Sequence, residues 1–350
     1  MKNKILTLCD TWHTQHNFSG VSRVKTSNTI IFEKAYGYAH RGFMIPNTID
    51  TMFDSASIAK LFTAISIVQL VQTGLLSFED RITDIIDLKG TKIPNDVTIH
   101  QLLSHTSGIA DDADEEAGEK YEDLFITKPN YSIRNCIDFL PQFAYKDPIF
   151  PAGSNVRYNN CAYILLGLVI ENITKHNYRD YVRENIIEII QLSQTGFPAK
   201  DDAETAVAEG YFCENEEAEN IVWRKNIYSY PPIGTADGGI CTSVKDLDRL
   251  FRAIKNADLV SPHYSDMLFS PQAKPFKKLK NGTLKYGFGF QFRYDEDGNL
   301  LRIFKDGVNA GVGAMAAYYP SIDTTSIILA NQDCDIWELH RLIGELLLQN

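Results

Sequence analysis

The 350-residue sequence predicts an α+β fold, an α/β sandwich in which one antiparallel sheet is built from both ends of the chain and flanked by helices. Runs of β-branched and aromatic residues separated by turn signals occur near the N-terminus and again after about residue 226. Short turns between neighbouring strands favour antiparallel pairing. The stretch between these two regions has mostly helical patterns. We therefore expect a discontinuous sheet domain (1–60 and 226–350), an inserted, mostly helical domain (61–225), and a cleft between them.

The expected elements follow in chain order. The chain begins with an amphipathic helix at residues 5–18, followed by a hairpin of strands at 20–25 and 29–34. Helical patterns then occupy residues 57–76, 97–105, 160–173 and 174–190, and a capped helix is expected to start near residue 243. Four strands and a closing helix are expected at 286–292, 300–304, 313–319, 326–330 and 338–348. This order of strands, helices, strands and helix is the basis for the predicted fold class.

Composition and charge narrow the classes of partner and compartment. The net charge of −11 argues against nucleic acid and anionic membranes as partners. Residues 111–123 and 201–219 each hold eight carboxylates, and we expect both segments to be solvated loops. The six scattered cysteines form no Cys-x-x-Cys pair, and no apolar run is long enough for a secretory signal or a membrane span. These features predict a cytoplasmic protein without a membrane span, while a trimmed exported form and the oligomeric state stay open.

A short motif, Ser57-x-x-Lys60, stands at the start of an apolar helical run that extends to Leu76. Residues three apart share one helix face, so the Ser57 hydroxyl and the Lys60 ammonium would lie side by side. A neighbouring amine held partly neutral can take the proton of a serine nucleophile, and free N–H groups at a helix start can hold an oxyanion. An alternative interpretation is a helix-capping serine followed by a surface lysine.

A second motif, Tyr158-x-Asn160, stands where a loop enters another apolar helix. Tyr158 could carry a proton if nearby cations lowered its pKa from about 10. Asn160 could hydrogen-bond a substrate amide or steady Lys60. Taken alone, the pair also fits a packed tyrosine and a helix-capping asparagine.

A third motif, Lys305-Asp306-Gly307, ends the expected strand at 300–304 and is followed by Val308. The lysine could bind a substrate carboxylate and keep Tyr158 acidic, and Gly307 would let a substrate approach the strand edge. The N–H of Val308 would be a second oxyanion donor beside that of Ser57. On its own the tripeptide also fits a simple turn.

The three motifs together resemble those of the penicillin-recognising serine hydrolases, which include class C β-lactamases, DD-peptidases and related esterases. The Tyr158 motif follows Ser57 by 101 residues, and Lys305 follows Tyr158 by 147 residues. Further matching stretches are residues 18–21, 35–39, 102–108, 151–153 and 286–289. The resemblance implies that Ser57 is the acylated nucleophile, that Lys60 and Tyr158 share the proton transfers, and that Asn160, Lys305, Gly307 and Val308 bind substrate.

Asp306 departs from the family pattern, because β-lactamases commonly carry threonine there. An acid at this position weakens the local positive field and removes a hydroxyl that could bind a carboxylate. We expect an esterase or peptidase acting on small acyl substrates, because such an enzyme fits the predicted cytoplasmic location. A β-lactamase or DD-carboxypeptidase ranks second, since it would need export to reach substrates that lie outside the cell. A slowly acylated or non-catalytic ligand-binding module is the alternative from another class, and Asp306 is the feature that favours it.

No cofactor and no metal are predicted. His100 and His105 offer too few ligands for a metal site, and His105 is expected to form structural hydrogen bonds. Cys161 is expected to be a buried, inert thiol. A sharper hypothesis for the acidic segment at 111–123 is that it disfavours anionic substrates near the cleft.

Overall fold

The computed structural model describes residues 1–114, 117–203, 206–214 and 222–349. Its α-helices are α1 (Lys2–His16), α2 (Ala59–Gln72), α3 (Ile82–Ile85), α4 (Ile99–Leu103), α5 (Leu124–Thr127), α6 (Leu140–Phe143), α7 (Cys161–Thr174), α8 (Tyr178–Val182), α9 (Val244–Lys255), α10 (Pro262–Leu268) and α11 (Ile336–Leu348). Its strands are β1 (Gly20–Thr26), β2 (Thr29–Tyr36), β3 (Tyr38–His40), β4 (Ile45–Pro46), β5 (Phe53–Asp54), β6 (Tyr211–Cys213), β7 (Trp223–Lys225), β8 (Cys241–Thr242), β9 (Pro275–Leu279), β10 (Gly282–Tyr286), β11 (Gln291–Tyr294), β12 (Leu300–Asn309), β13 (Val312–Tyr319) and β14 (Thr324–Ala330).

One large antiparallel sheet joins the two ends of the chain. Its eight strands run in the order β2-β1-β14-β13-β12-β11-β10-β9. The N-terminal hairpin is attached through β1, which pairs with β14 from Gly20 opposite Ala330 to Thr26 opposite Thr324. The predicted α+β fold, with an antiparallel sheet built from both chain ends, is therefore confirmed.

The sheet separates two apolar cores. Alternate residues of a strand point to opposite faces, so neighbours in β13 and β14 enter different cores. Met315 and Ile328 belong to the core beneath α1 and α11. Ala316 and Ile327 belong to the larger core, which also contains α2, α7 and α9. The helices that carry the Ser57 and Tyr158 motifs therefore lie on the face opposite to the terminal helices.

Helix α2 is the centre of the larger core. It is apolar around most of its circumference, and its first ten residues, Ala59 to Val68, are all buried. It contacts α7, α8 and α10. A helix that is apolar all round is stable only when it is buried on every side. The buried helix therefore gives a rigid base to the residues at its N-terminus.

Some expected boundaries were wrong. Residues 286–292 do not form one strand: β10 ends at Tyr286, and β11 begins at Gln291 after a turn closed by the Gly287 N–H and the Phe290 carbonyl. Gly289 adopts a φ of +78° in that turn, a conformation that favours glycine. The helix expected at 174–190 begins only at Tyr178, because Lys175 ends α7 in a left-handed conformation. The division into sheet and helical domains stays a prediction.

The first acidic segment is not a uniformly solvated loop. Asp111 and Asp112 are buried, whereas Glu119, Glu122 and Asp123 are exposed as expected. Residues 115–116 of that segment lie outside the described residues, as do 204–205 and 215–219 of the second acidic segment. Among the residues that the structure describes, no helix has both the length and the apolar character needed to cross a membrane.

Candidate active site

Ser57 lies in a single 3-10 turn, Ala56–Ile58, that leads directly into α2. The preceding residue, Ala56, has a φ of +44°, which is unusual for a residue with a side chain. Its N–H donates to Oδ1 of Asp54 at 2.8 Å, a contact that holds this turn. Backbone strain of this kind persists only where the surrounding structure imposes it, and it is concentrated at functional sites. The turn presents the Ser57 hydroxyl to a large cavity.

Lys60 is completely buried one helical turn after Ser57. Its Nζ donates to Ser57 Oγ at 3.2 Å, to Asn160 Oδ1 at 2.8 Å and to the Asp237 carbonyl at 2.6 Å. These neutral acceptors fix the position of the ammonium group. The predicted side-by-side placement of Ser57 and Lys60 is present, and Asn160 contacts the lysine.

Tyr158 reaches the same hydroxyl from the loop before α7. Its Oη donates to Ser57 Oγ at 2.8 Å. The Nζ atoms of Lys60 and Lys305 lie 5.1 Å and 5.0 Å from the centre of the Tyr158 ring. The phenol therefore lies between two ammonium groups and against the serine.

The edge of β12 forms the opposite wall. The pairing with β11 covers β12 only as far as Phe304, which lies opposite Gln291. At Gly307 an added Cβ would lie 2.3 Å from the Ser55 carbonyl oxygen and 2.8 Å from the Ser57 N. Only glycine permits so close an approach of the strand to the serine turn. Val308 follows on this edge and lines the same cavity as Ser57.

Asp306 is held by three donors in the cavity wall. Its Oδ1 accepts from Gln291 Nε2 at 2.7 Å and from Lys305 Nζ at 3.3 Å, and its Oδ2 accepts from Trp337 Nε1 at 2.9 Å. Burial alone would raise the pKa of this carboxyl, but the Lys305 ammonium and the Trp337 hydrogen bond lower it below its ordinary value. The third-motif lysine is therefore paired with a carboxylate beside it.

His105 lies behind Tyr158 rather than beside the serine. Its ring centre is 4.7 Å from that of Tyr158, and its Nδ1 accepts from the Asn159 N–H at 3.2 Å. Burial, and then the charges of Lys60 and Lys305, lower the pKa of His105 well below its ordinary value. The neutral ring fits the expected structural hydrogen-bonding role.

A pair of buried carboxyls supports the Asn160 segment. Asp111 accepts the N–H groups of Asn160 at 2.9 Å and Cys161 at 3.0 Å, which fixes the start of α7. Burial, followed by the charges of Asp111 and Asp237, raises the pKa of Asp112 well above its usual range. Neither interaction was visible in the sequence, because the expected solvated loop gave no reason for burial.

Within the described part of the chain, Asp111, Asp112 and Cys161 form a group that could be considered for a metal, since their ligand atoms all lie within 4.8 Å of one another. Burial, and then the neighbouring carboxyls, raise the pKa of the Cys161 thiol well above its ordinary value. A cysteine binds a metal as its thiolate, which the raised pKa disfavours. The Asp111 oxygens already accept hydrogen bonds from backbone amides. The group fits a carboxyl pair that shares a proton better than a cation site, and the expectation of no metal stays a prediction.

Sequence reasoning missed the carbonyl of Asp237 and the indole of Trp337. A backbone carbonyl has no side-chain signature, although Asp237 lies within a glycine-rich stretch at residues 234–239. Trp337 belongs to the closing helix, and only its packing against the sheet brings it to Asp306. Neither residue belongs to a recognisable motif.

A sheet of this topology, with a serine, a lysine three residues later and a tyrosine meeting at a cleft, defines the penicillin-recognising serine hydrolases. The chain belongs to the beta-lactamase family, whose model matches residues 9–344. It is therefore an enzyme of the serine hydrolase class.

Individual relatives agree with this assignment. The solved structure of a penicillin binding protein from Bacillus halodurans is 34% identical, with a TM-score of 0.89 over 98% of this chain and 99% of that chain. A penicillin-binding protein of Bacillus subtilis strain 168 is 25% identical over 95% of this chain and 72% of its own length. The D-amino acid amidase of Ochrobactrum anthropi SV3 shares the fold, with 19% identity and a TM-score of 0.77 over 99% of this chain and 97% of that chain.

Proposed function

We propose that the protein hydrolyses small acylated molecules through an acyl-enzyme on Ser57, as an esterase or peptidase. One observation carries the proposal. Ser57 Oγ lies within hydrogen-bond distance of both Lys60 Nζ (3.2 Å) and Tyr158 Oη (2.8 Å), at the wall of a cavity of about 1220 Å³. A nucleophile with two adjacent proton carriers is the arrangement that acyl transfer requires.

Acylation begins when the substrate carbonyl oxygen lies between the N–H groups of Ser57 and Val308. Ser57 Oγ attacks the carbonyl carbon, and its proton passes to whichever base is deprotonated, Lys60 as a neutral amine or Tyr158 as a phenolate. The two N–H groups stabilise the negative charge that develops on the carbonyl oxygen. The ammonium groups of Lys60 and Lys305 favour negative charge on the Tyr158 oxygen. The main base stays open between Lys60 and Tyr158, because the two would titrate as a coupled pair.

The tetrahedral intermediate collapses when Tyr158 returns the proton to the leaving alcohol or amine. The bond from the carbonyl carbon to the leaving group breaks, and Ser57 keeps the acyl group as an ester. Water then attacks this ester and gives a proton to the same base. The bond from the acyl carbon to Ser57 Oγ breaks, the base returns the proton to Oγ, and the acid is released. Asn160 holds Lys60 in place during these steps through its 2.8 Å hydrogen bond.

The charge of Asp306 favours esters and neutral amides over substrates that carry a carboxylate beside the scissile bond. The carboxylate lies 3.3 Å from the Lys305 ammonium and offsets its charge. A substrate carboxylate placed beside the scissile bond would therefore find less attraction than a lone lysine offers. Acyl compounds without such a carboxylate do not depend on attraction to Lys305.

The second candidate is acylation by β-lactams or by D-Ala-D-Ala peptides. It is favoured by the 34% identity to a penicillin binding protein over 98% of this chain. The non-catalytic alternative, a slowly acylated binding module, is favoured by Asp306. The three alternatives differ in whether an adduct forms and how fast it is released.

The test has two parts. Wild type and Ser57→Ala are incubated with a fluorophosphonate and a fluorescent penicillin, and we expect labelling of the wild type alone. Labelling that persists in Ser57→Ala would exclude Ser57 as the nucleophile. Hydrolysis of p-nitrophenyl acetate, nitrocefin and a D-Ala-D-Ala peptide is then compared in parallel. Rapid nitrocefin turnover would reverse our ranking, and a stable adduct without turnover, seen by mass spectrometry, would support the binding module.

We also propose a cytoplasmic location. Five cysteines, Cys9, Cys136, Cys161, Cys213 and Cys334, are free thiols, and burial raises the thiol pKa of Cys9 and Cys136. Unpaired cysteines fit a reducing compartment. Cell fractionation with an antibody to the chain tests this location, and recovery outside the cytoplasm would contradict it.

A further inference from the structure

Two arginines face each other at the far end of the reaction cavity. Arg293 on β11 and Arg302 on β12 are directly paired across the two strands. Both side chains line the same cavity as Ser57 and Tyr158. Like charges directly opposite each other in a sheet destabilise it unless something compensates their repulsion.

No carboxylate of the described residues lies within ion-pair distance of either arginine. Arg293 donates to the backbone carbonyls of Tyr294 and Asn281, each at 2.5 Å. Burial, and then the charge of Arg302, lower the pKa of Arg293, which Asp295 only partly offsets. Two half-buried guanidinium groups are thus left without an anionic partner from the part of the chain that is described.

Arg302 is also incompletely hydrogen-bonded. Its Nη1 donates to Nδ1 of His340 at 2.7 Å. Its Nε is buried and has no hydrogen-bond partner among the described residues. A planar guanidinium presents several donors that match a carboxylate or phosphate, so cavity-lining arginines without a carboxylate partner indicate an anionic ligand.

Apolar side chains lie beside the arginine pair. Leu284 is the strand partner of Arg293, and the Arg302 guanidinium lies 4.7 Å from the centre of the Phe304 ring. Leu284, Phe304 and Trp337 all line the cavity. A ligand that fits this end would have an apolar part joined to an anionic group.

The pair is well separated from the serine. Gly307 approaches the Ser57 N closely, and Arg302 lies five residues away along β12, or about 16 Å at roughly 3.3 Å per residue. Asp306 lies between them on the same strand. A substrate anion is therefore disfavoured next to the scissile bond and favoured at the other end of the cavity.

We propose that Arg293 and Arg302 form an anion-binding subsite for the carboxylate or phosphate at the far end of an elongated, amphipathic acyl substrate. This proposal rests on the proposed function, since it identifies the substrate class of the same cavity. It requires no additional reaction step.

The test is equilibrium binding, so it does not depend on turnover. Calorimetry measures the affinity of wild type and Arg293→Gln for decanoate, decyl phosphate and decanol. We expect the two anions to bind wild type at least tenfold more tightly than decanol, and Arg293→Gln to lose about tenfold for the anions only. The ratio of the affinities for decanoate and decyl phosphate identifies the preferred anion. Arg293→Lys should retain part of the preference, and the exposed Arg183→Gln should keep all of it.

Two results would overturn the subsite. Equal affinity of wild type for decanol and the anions would show that the cavity does not select charge. Unchanged anion affinity in Arg293→Gln would place the anion elsewhere, for example at Lys305. Failure of the proposed function has a different signature, the absence of Ser57-dependent ester hydrolysis, and it would leave the calorimetric result interpretable.

Discussion

Tyr158 Oη donates a hydrogen bond of 2.8 Å to Ser57 Oγ, although 101 residues separate the two in the chain. The contact joins the N-terminus of α2 to the loop before α7, and both helices are buried in one core. It places a proton carrier within hydrogen-bond distance of the nucleophile.

Tyr158→Phe should lower kcat/KM for p-nitrophenyl acetate by roughly 10²- to 10⁴-fold, because a general acid–base group is lost while the ring is kept. The melting temperature should change little, since the ring still packs against His105. Steady-state kinetics and thermal unfolding measure the two effects. Tyr131→Phe, at an exposed tyrosine, is the matched control. Near-wild-type activity in Tyr158→Phe would exclude the phenol from proton transfer.

Gly307→Ala should lower kcat by more than about 100-fold, because the new Cβ would lie 2.3 Å from the Ser55 carbonyl and push the strand edge from Ser57. Gly196→Ala is the control, since a Cβ there meets no atom within 4 Å. The rate of fluorophosphonate labelling reports the geometry of the serine directly. Equal labelling rates in both variants would show that the close approach is not needed.

Asp306→Thr should raise kcat/KM for a D-Ala-D-Ala peptide relative to p-nitrophenyl acetate by roughly tenfold. The substitution removes a carboxylate 3.3 Å from Lys305, so the ammonium becomes available to a substrate carboxylate. Asp202→Asn, at an exposed acid that also lines the cavity, controls for the loss of one negative charge. A substrate ratio that stays at the wild-type value would contradict a role of Asp306 in selectivity.

Asp112→Asn should stabilise the protein increasingly as the pH rises. The folded-state pKa of Asp112 is raised, by burial first, so the folded protein keeps a proton that the unfolded chain releases above about pH 4. Stability supplied by this carboxyl is therefore complete below that pH and is lost as the pH rises toward the folded-state pKa. The asparagine amide has no such titration.

Urea unfolding at pH 5, 6, 7 and 8 measures this effect. The difference in the free energy of unfolding between variant and wild type should grow by up to about 1.4 kcal/mol per pH unit. Asp202→Asn, at an exposed carboxyl, should show no such growth. A constant difference across the series would mean that Asp112 is ionised in the folded protein.

The fold followed from local patterns where one face of an element is buried. The N-terminal hairpin and β13 and β14 were predicted because their residues are β-branched, aromatic or small and are bounded by turn signals. The stretch at 286–292 was wrong because aromatic residues that suggest a strand here fill a turn, and the glycine conformation at Gly289 is not visible in composition. The burial of Asp111 and Asp112 was missed for a related reason, since a segment rich in carboxylates is expected to be exposed to solvent.

The contacts of the candidate site are also of two kinds, those set by local helix geometry and those between distant parts of the chain. Ser57 and Lys60 are neighbours because 3.6 residues make one helical turn, which is a local property readable from four consecutive residues. Tyr158, Asn160 and Lys305 were predicted as partners from their motifs together with the family resemblance, since no local rule joins residues a hundred positions apart. The roles assigned to these residues stay predictions.

The serine–lysine pair and the order of strands and helices could be read from the sequence. The fold was needed to show that Asp237 supplies a carbonyl to Lys60, that Trp337 and Gln291 hold Asp306, and that Arg293 lies opposite Arg302. It was also needed to show that Gly307 lets the strand approach the serine turn. Helix periodicity acts over a few residues, whereas strand register and core packing select which distant side chains meet. Those selections depend on the whole apolar core and cannot be read from any single stretch.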